Sequence, residues 1–143
     1  MMGGGPKKDK KFIQKIMSQL KSGNKELFIV DDKLGTPTYT HDFARNVKLL
    51  LENKLEGLYN MVCSGVTGRH EVTLELIKVL KMENKIKITP VDSGYWKGEY
   101  FAKRPASERL INRKLDLRGL NIMRDWRICL KEYIDNYYQG YLD

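Results

Sequence analysis

The stretch Leu27-Phe28-Ile29-Val30-Asp31-Asp32-Lys33-Leu34-Gly35-Thr36-Pro37-Thr38-Tyr39-Thr40-His41-Asp42-Phe43-Ala44 decides how the chain is organised. Its first four residues are apolar, with aromatic and β-branched members, and Asp31 and Asp32 stop the run at once, which is the pattern of a short buried strand. Pro37 biases Thr36 away from helical backbone, so residues 35 to 39 form a turn or extended loop. Thr40 suits a helix N-cap and Asp42 the first turn, while Phe43, Val47, Leu50 and Leu51 make an apolar face up to about Glu52. A strand, a polar loop and a helix in this order are the alternation of an α/β fold.

Toward the N-terminus, Phe12, Ile13, Ile16, Met17 and Leu20 recur at helical spacing, which predicts a helix from Asp9, available as N-cap, to Leu20, with Gly23 beyond its end. Residues 1 to 6 read as a loop, because Gly3, Gly4, Gly5 and Pro6 sustain neither helix nor central strand. Toward the C-terminus, residues 57 to 64 are a strand candidate ending at Gly65, and Gly68 to Lys81 is a helix carried by Val72, Leu76, Val79 and Leu80. Residues 85 to 91 read as a short or edge strand, since Pro90 cannot donate to a ladder. From Asp92 to Arg118 the pattern is irregular, with Tyr95, Trp96, Tyr100 and Phe101 among glycines and lysines. A last helix spans about Arg124 to Tyr138, burying Trp126, Leu130, Tyr133, Ile134 and Tyr137. Three short strands make a poor independent sheet, so the expectation is α/β, mixed α+β in isolation, and part of something larger.

The 143 residues suit one domain or a fragment of one, 1 to 143. With 41% hydrophobic and 31% charged residues, the composition is that of a globular chain. No run of about 18 apolar residues occurs and the first residues carry no apolar leader segment, so neither a membrane span nor a secretory signal is read, and the expected location is cytoplasmic. Cys63 and Cys129 sit far apart in apolar segments and read as buried free thiols. His41 and His70 have no ligand partners at metal spacing, so no metal is expected. The net charge is +8, and cations cluster at Lys7, Lys8, Lys10 and Lys11 and again at Lys103, Arg104, Arg109, Arg113, Lys114 and Arg118; a solvated surface accounts for most of them and a diphosphate ligand or nucleic acid for a few. A nucleic-acid-binding module finds no motif.

The segment from Val30 to Ala44 resembles the stretch of dTDP-4-dehydrorhamnose reductases that reads approximately V-D-D-Q-x-G-x-P-T-Y-T-x-D-x-A. Gly57-Leu58-Tyr59-Asn60 is similar to that family's Gly-Ile-Tyr-His strand. Ala102-Lys103-Arg104-Pro105-Ala106 through Leu110 to Leu115 resembles its late A-x-R-P segment, and residues 1 to 12 its loop and helix start after the sixth strand of the nucleotide-binding sheet. The departures are Lys11 for the usual Asn, Lys33 for Gln, Glu108 for Ser, and Arg69 and His70 at positions usually aromatic; they bear on which sugar and base are recognised. The resemblance implies the C-terminal, substrate-binding portion of an extended short-chain dehydrogenase/reductase of Rossmann type. Its ligand would be a nucleoside-diphosphate sugar, with Arg104 against the diphosphate as paired donors, Lys11 and Phe12 near the base or sugar, and Thr38 and Tyr39 in the recognised loop.

Neither Gly-x-Gly-x-x-Gly nor Gly-x-x-Gly-x-x-Gly occurs in the sequence, and no lysine stands four residues after any of its eight tyrosines, so the family's Tyr-x-x-x-Lys pair is missing. The expectation is therefore no catalytic residue and no cofactor in this chain. NADH or NADPH would belong to the full-length parent, whose N-terminal dinucleotide-binding half would precede Met1 and be a partner of this portion. Unpaired strand edges point to a homodimer as a further partner. Two other readings stay open: a noncatalytic, regulatory relative, as the subunits of methionine adenosyltransferase that resemble this family are, and part of another sugar-nucleotide epimerase or dehydratase.

Overall fold

In a computed structural model, which describes residues 2–96, 98 and 105–143, the elements run α1 (Gly5–Lys8), α2 (Phe12–Lys21), β1 (Glu26–Val30), β2 (Leu34–Gly35), α3 (Thr40–Glu52), β3 (Thr67–Gly68), α4 (Arg69–Val79), β4 (Lys87–Val91), α5 (Arg113–Leu117) and α6 (Trp126–Tyr137). β1 and β4 pair in parallel, Leu27 opposite Ile88 and Ile29 opposite Pro90. Parallel strands need a long crossover, supplied here by α3 and α4. β2 and β3 form a second, two-residue antiparallel pair, Leu34 opposite Gly68. The fold is α/β, as the alternation predicts.

The core lies where α4 packs against both β1 and α6. α2 contributes Ile13, Ile16, Met17 and Leu20, at the spacing that places them on one face. β1 adds Leu27 and Ile29, α4 adds Val72, Leu76 and Ile77, and α6 adds Trp126, Cys129, Leu130, Tyr133 and Ile134. Leu27, Leu76 and Leu130 are wholly buried, each contributing roughly 2 kcal/mol through the apolar surface removed from water.

Several sequence expectations are corrected. Residues 5 to 8 form a helical turn rather than a loop, because Gly4 and Gly5 take left-handed backbone (φ +87° and +63°) that lets the chain turn into it. Asp9 caps the C-terminus of that turn and does not start α2; its Oδ1 accepts the Lys11 N–H (2.7 Å) and its Oδ2 the Tyr133 hydroxyl (2.7 Å). Thr40 lies inside α3 with Tyr39 as N-cap. A parallel bridge to Met2 fixes this start instead: Met2 N–H donates to the Thr38 carbonyl (2.7 Å) and Thr40 N–H to the Met2 carbonyl (3.0 Å).

The inward face of α3 is also not the one expected. Leu51 is 72% exposed, and the buried positions are Asp42, Asn46 and Leu50, two of them polar. Apolar periodicity misses a face whose polar groups bond across the fold, Asp42 to Arg124 and the Asn46 amide N–H to the Leu120 carbonyl (3.2 Å). Residues 57 to 64 form no strand beyond a single bridge from Ser64 to Asp125. The Asn112 side chain stands in for a neighbouring strand, accepting from Val62 N–H (3.0 Å) and donating to its carbonyl (2.8 Å). α5 arises inside the region read as irregular, with Leu115 buried beneath it. In α6, Tyr137 is half-buried rather than buried.

Candidate functional site

A narrow ribbon crosses the chain at Leu34. Leu34 pairs on one side with Gly68, and on the other its N–H donates to the Ala106 carbonyl (2.9 Å) while its own carbonyl accepts from Glu108 N–H (2.9 Å). Strand neighbours lie roughly 4.8 Å apart, so Gly68 and Ser107 flank Leu34 at a separation of about 10 Å. Gly68 opens α4 and donates its N–H to Glu71 Oε2 (2.8 Å); a Cβ there would meet the Lys33 carbonyl at 3.0 Å, so glycine lets the ribbon close against the helix start without displacing it. Arg69, exposed, follows at once and carries its guanidinium over the Phe12 ring, 5.8 Å from the centroid.

Phe12 is half-buried at the start of α2, packed on the core with part of its ring in solvent, and Lys11 beside it is exposed. These two residues and Arg69 therefore share one surface. Thr38 and Tyr39 do not. Thr38 is 7% exposed, and Tyr39 is wholly buried, its hydroxyl bonded to His41 Nδ1 (3.1 Å) and its ring tilted against Tyr133. Burial pushes the Tyr39 hydroxyl up to about 12. His41 is held from both sides, since Tyr137 OH reaches its Nε2 at 2.9 Å. Arg104 lies outside the described residues, as do Lys103, Tyr100 and Phe101.

Between α3 and α6 lies an ionic network that the sequence reading did not single out. Asp42, 1% exposed, accepts from Arg124 Nε (2.9 Å), Nη2 (2.7 Å) and backbone N–H (3.2 Å), from Cys129 Sγ (3.2 Å) and from Arg45. Burial alone would raise the Asp42 carboxyl, but the hydrogen bonds from Arg124 and Cys129 outweigh it and hold it at about 2. Arg124 also pairs with Glu132 (2.6 Å), and the bonds to both carboxylates drive its guanidinium further toward the charged form. The network ties the loop before α6 to α3 and so fixes the base on which the Tyr39 loop rests. The one sequence signal for it was Asp42 within the quoted stretch. Its partner stands 82 positions away.

Among the described residues no group of three or more His, Cys, Asp or Glu side chains is arranged to hold a metal, and no helix is long and apolar enough to cross a membrane. The chain is 31% identical over 120 residues to the spore coat polysaccharide biosynthesis protein SpsK of Bacillus subtilis, an alignment covering 82% of this chain and 40% of that protein. It is 28% identical over 128 residues to the dTDP-4-dehydrorhamnose reductase of Mycobacterium tuberculosis, covering 89% of this chain and 40% of the other. Among solved structures, dTDP-4-dehydrorhamnose reductase from Yersinia enterocolitica superposes with a TM-score of 0.85 at 27% identity, over 96% of this chain and 47% of that one. The chain thus spans less than half the length of the proteins it matches. The RmlD substrate binding domain matches residues 6–139, nearly the whole of the α/β unit and every described site position, and the chain belongs to that family.

Proposed function

We propose that this chain is the sugar-nucleotide-binding portion of a nicotinamide-dependent reductase acting on a nucleoside-diphosphate 4-keto sugar. The family match over residues 6–139 carries the reading, and the geometry supports it. Arg69 lies over the part-exposed Phe12 ring and the exposed Lys11 precedes that residue in the chain, a combination suited to an anion joined to a flat or apolar group. In this reading Arg104 supplies paired donors to the diphosphate. Thr38 and Tyr39, being buried, serve by holding the loop between β2 and α3 in place.

We read the dinucleotide as bound by another portion of the parent enzyme, because the described residues offer it a poor fit. β1, a parallel strand with α3 as the next helix, runs into Asp31 and Asp32 rather than a glycine turn, and two carboxylates repel a pyrophosphate. When bound elsewhere, the nicotinamide supplies the hydride. The work of this chain is to grip the diphosphate, orient the sugar and exclude water from its face. The test is calorimetric titration of the 143-residue chain with thymidine and uridine diphosphate hexoses and with the free nucleosides. Diphosphate sugars binding at least tenfold more tightly than nucleosides is the expected result. Equal affinity, or none for either class, overturns the proposal.

A further inference from the structure

Cys63 and Cys129 take no part in that surface. Both are buried, 2% and 0% exposed, in one core cluster, and each thiol perturbs the other. The backbone explains the meeting. Ser64 bridges Asp125, its N–H donating to the Arg124 carbonyl (3.0 Å) and its carbonyl accepting from Trp126 N–H (3.2 Å), so Cys63 is fixed beside the start of α6. Cys129 sits one helical turn beyond Asp125, on the same face, its N–H bonded to the Asp125 carbonyl (3.2 Å). Its thiol also touches Asp42 Oδ2 at 3.2 Å.

The two sulfurs differ in access. Cys129 lies on a regular helix, whereas Cys63 belongs to a segment without a strand, tied down by the Asn112 side chain and the Ser64 bridge, with Ser64, Gly65 and Val66 exposed beyond it. Local release of such a segment requires far less than global unfolding. It would bring Cys63 to solvent first.

We infer that Cys63 and Cys129 form a thiol pair that a low-molecular-weight disulfide can close, pinning residues 57 to 64 to α6. The Cys63 thiolate attacks the small disulfide, forming a mixed disulfide and releasing one small thiol. Cys129, its proton lost to solvent, then attacks the Cys63 sulfur and expels the second small thiol. Two protein thiols are oxidised, one small disulfide is reduced to two thiols, and no other reagent is consumed. The contact between the thiols draws the Cys63 thiol below its ordinary range while raising that of Cys129, in keeping with Cys63 as the attacking group.

The experiment treats the folded 143-residue chain with oxidised glutathione, quenches with acid, alkylates in denaturant and maps the peptides by mass spectrometry. The expected product is a monomer with residues 63 and 129 joined, melting roughly 5–15 °C higher than the reduced chain because the cross-link restricts the unfolded state. C129S should stop at the mixed disulfide on Cys63, and C63S should leave Cys129 free. Should either variant misfold, the cross-link and melting point of the unsubstituted chain still decide. No loss of free thiol under native conditions, cross-linking only between chains, or closure that needs denaturant would each overturn the inference.

Discussion

Replacing Asp42 with asparagine removes a buried charge and keeps the volume, and its consequence is calculable from the network around it. The Asp42 carboxyl sits at about 2 against an ordinary 3.8, a displacement that favours the folded state by about 2 kcal/mol at neutral pH. Asparagine loses that, and it turns an amide toward the guanidinium of Arg124, which keeps only Glu132 as an anionic partner. Breaking a buried pair costs about 3 to 5 kcal/mol, and since the Arg124 side chain is 32% exposed the lower end applies, about 3 kcal/mol. Glu132→Gln, at the more exposed side of the same guanidinium, should cost under about 1 kcal/mol. The assay is urea unfolding followed by tryptophan fluorescence, which the buried Trp126 reports. The pH dependence has a definite sign: a carboxyl held low when folded contributes fully above pH 3.8, and the contribution disappears as pH falls through about 2. The gap between the two proteins should therefore be constant from neutral pH to about 5 and narrow between about 4 and 2. A loss under about 1 kcal/mol, or a gap that widens in acid, would refute the account of Asp42 as the charge that secures the loop before α6.

Gly65→Ala should destabilise by about 2 to 4 kcal/mol in the same assay, since Gly65 holds φ +96° and a Cβ there would stand 2.7 Å from the Trp126 ring. Arg104→Ala, measured by substrate titration of the longer enzyme, should weaken a diphosphate sugar roughly 10- to 100-fold, and Arg104→Lys should recover part of that. Unchanged affinity with an intact fold would remove Arg104 from the site. Neither NADH nor NADPH should bind the 143-residue chain; a low-micromolar dissociation constant by fluorescence titration would contradict the assignment of the dinucleotide to another portion.

The elements that sequence made legible are those whose pattern is local. The apolar run before Asp31 is β1, and the spacing of Phe12, Ile13, Ile16, Met17 and Leu20 is the inward face of α2. What escaped reading depends on distant partners. Asp9 looked like a cap because nothing nearby reveals that Tyr133 claims it, and Thr40 looked like one because Met2 was assigned to a loop. Asp42 and Asn46 were passed over on α3 for the same reason, since a buried polar face is recognisable only once Arg124 and the Leu120 carbonyl are beside it. At the surface, Lys11 and Phe12 were found through resemblance, whereas Arg69 was noticed only as a departure; its nearness to Phe12 is a fact of how α2 and α4 meet.

The two ends of the chain clasp each other. Asp9 bonds to Tyr133, Gln14 to Tyr138 and Tyr141, and Lys21 to the Tyr141 carbonyl, so the earliest helices are completed by the last residues. During synthesis α2 leaves the ribosome long before its partners exist, with Ile13, Ile16 and Met17 uncovered. Contacts of such long range make closure a late and slow event. The core built on α2 therefore stays unfinished until residues 133 to 141 are made, and loss of residues 138 to 143 would be felt at α2 rather than only at α6.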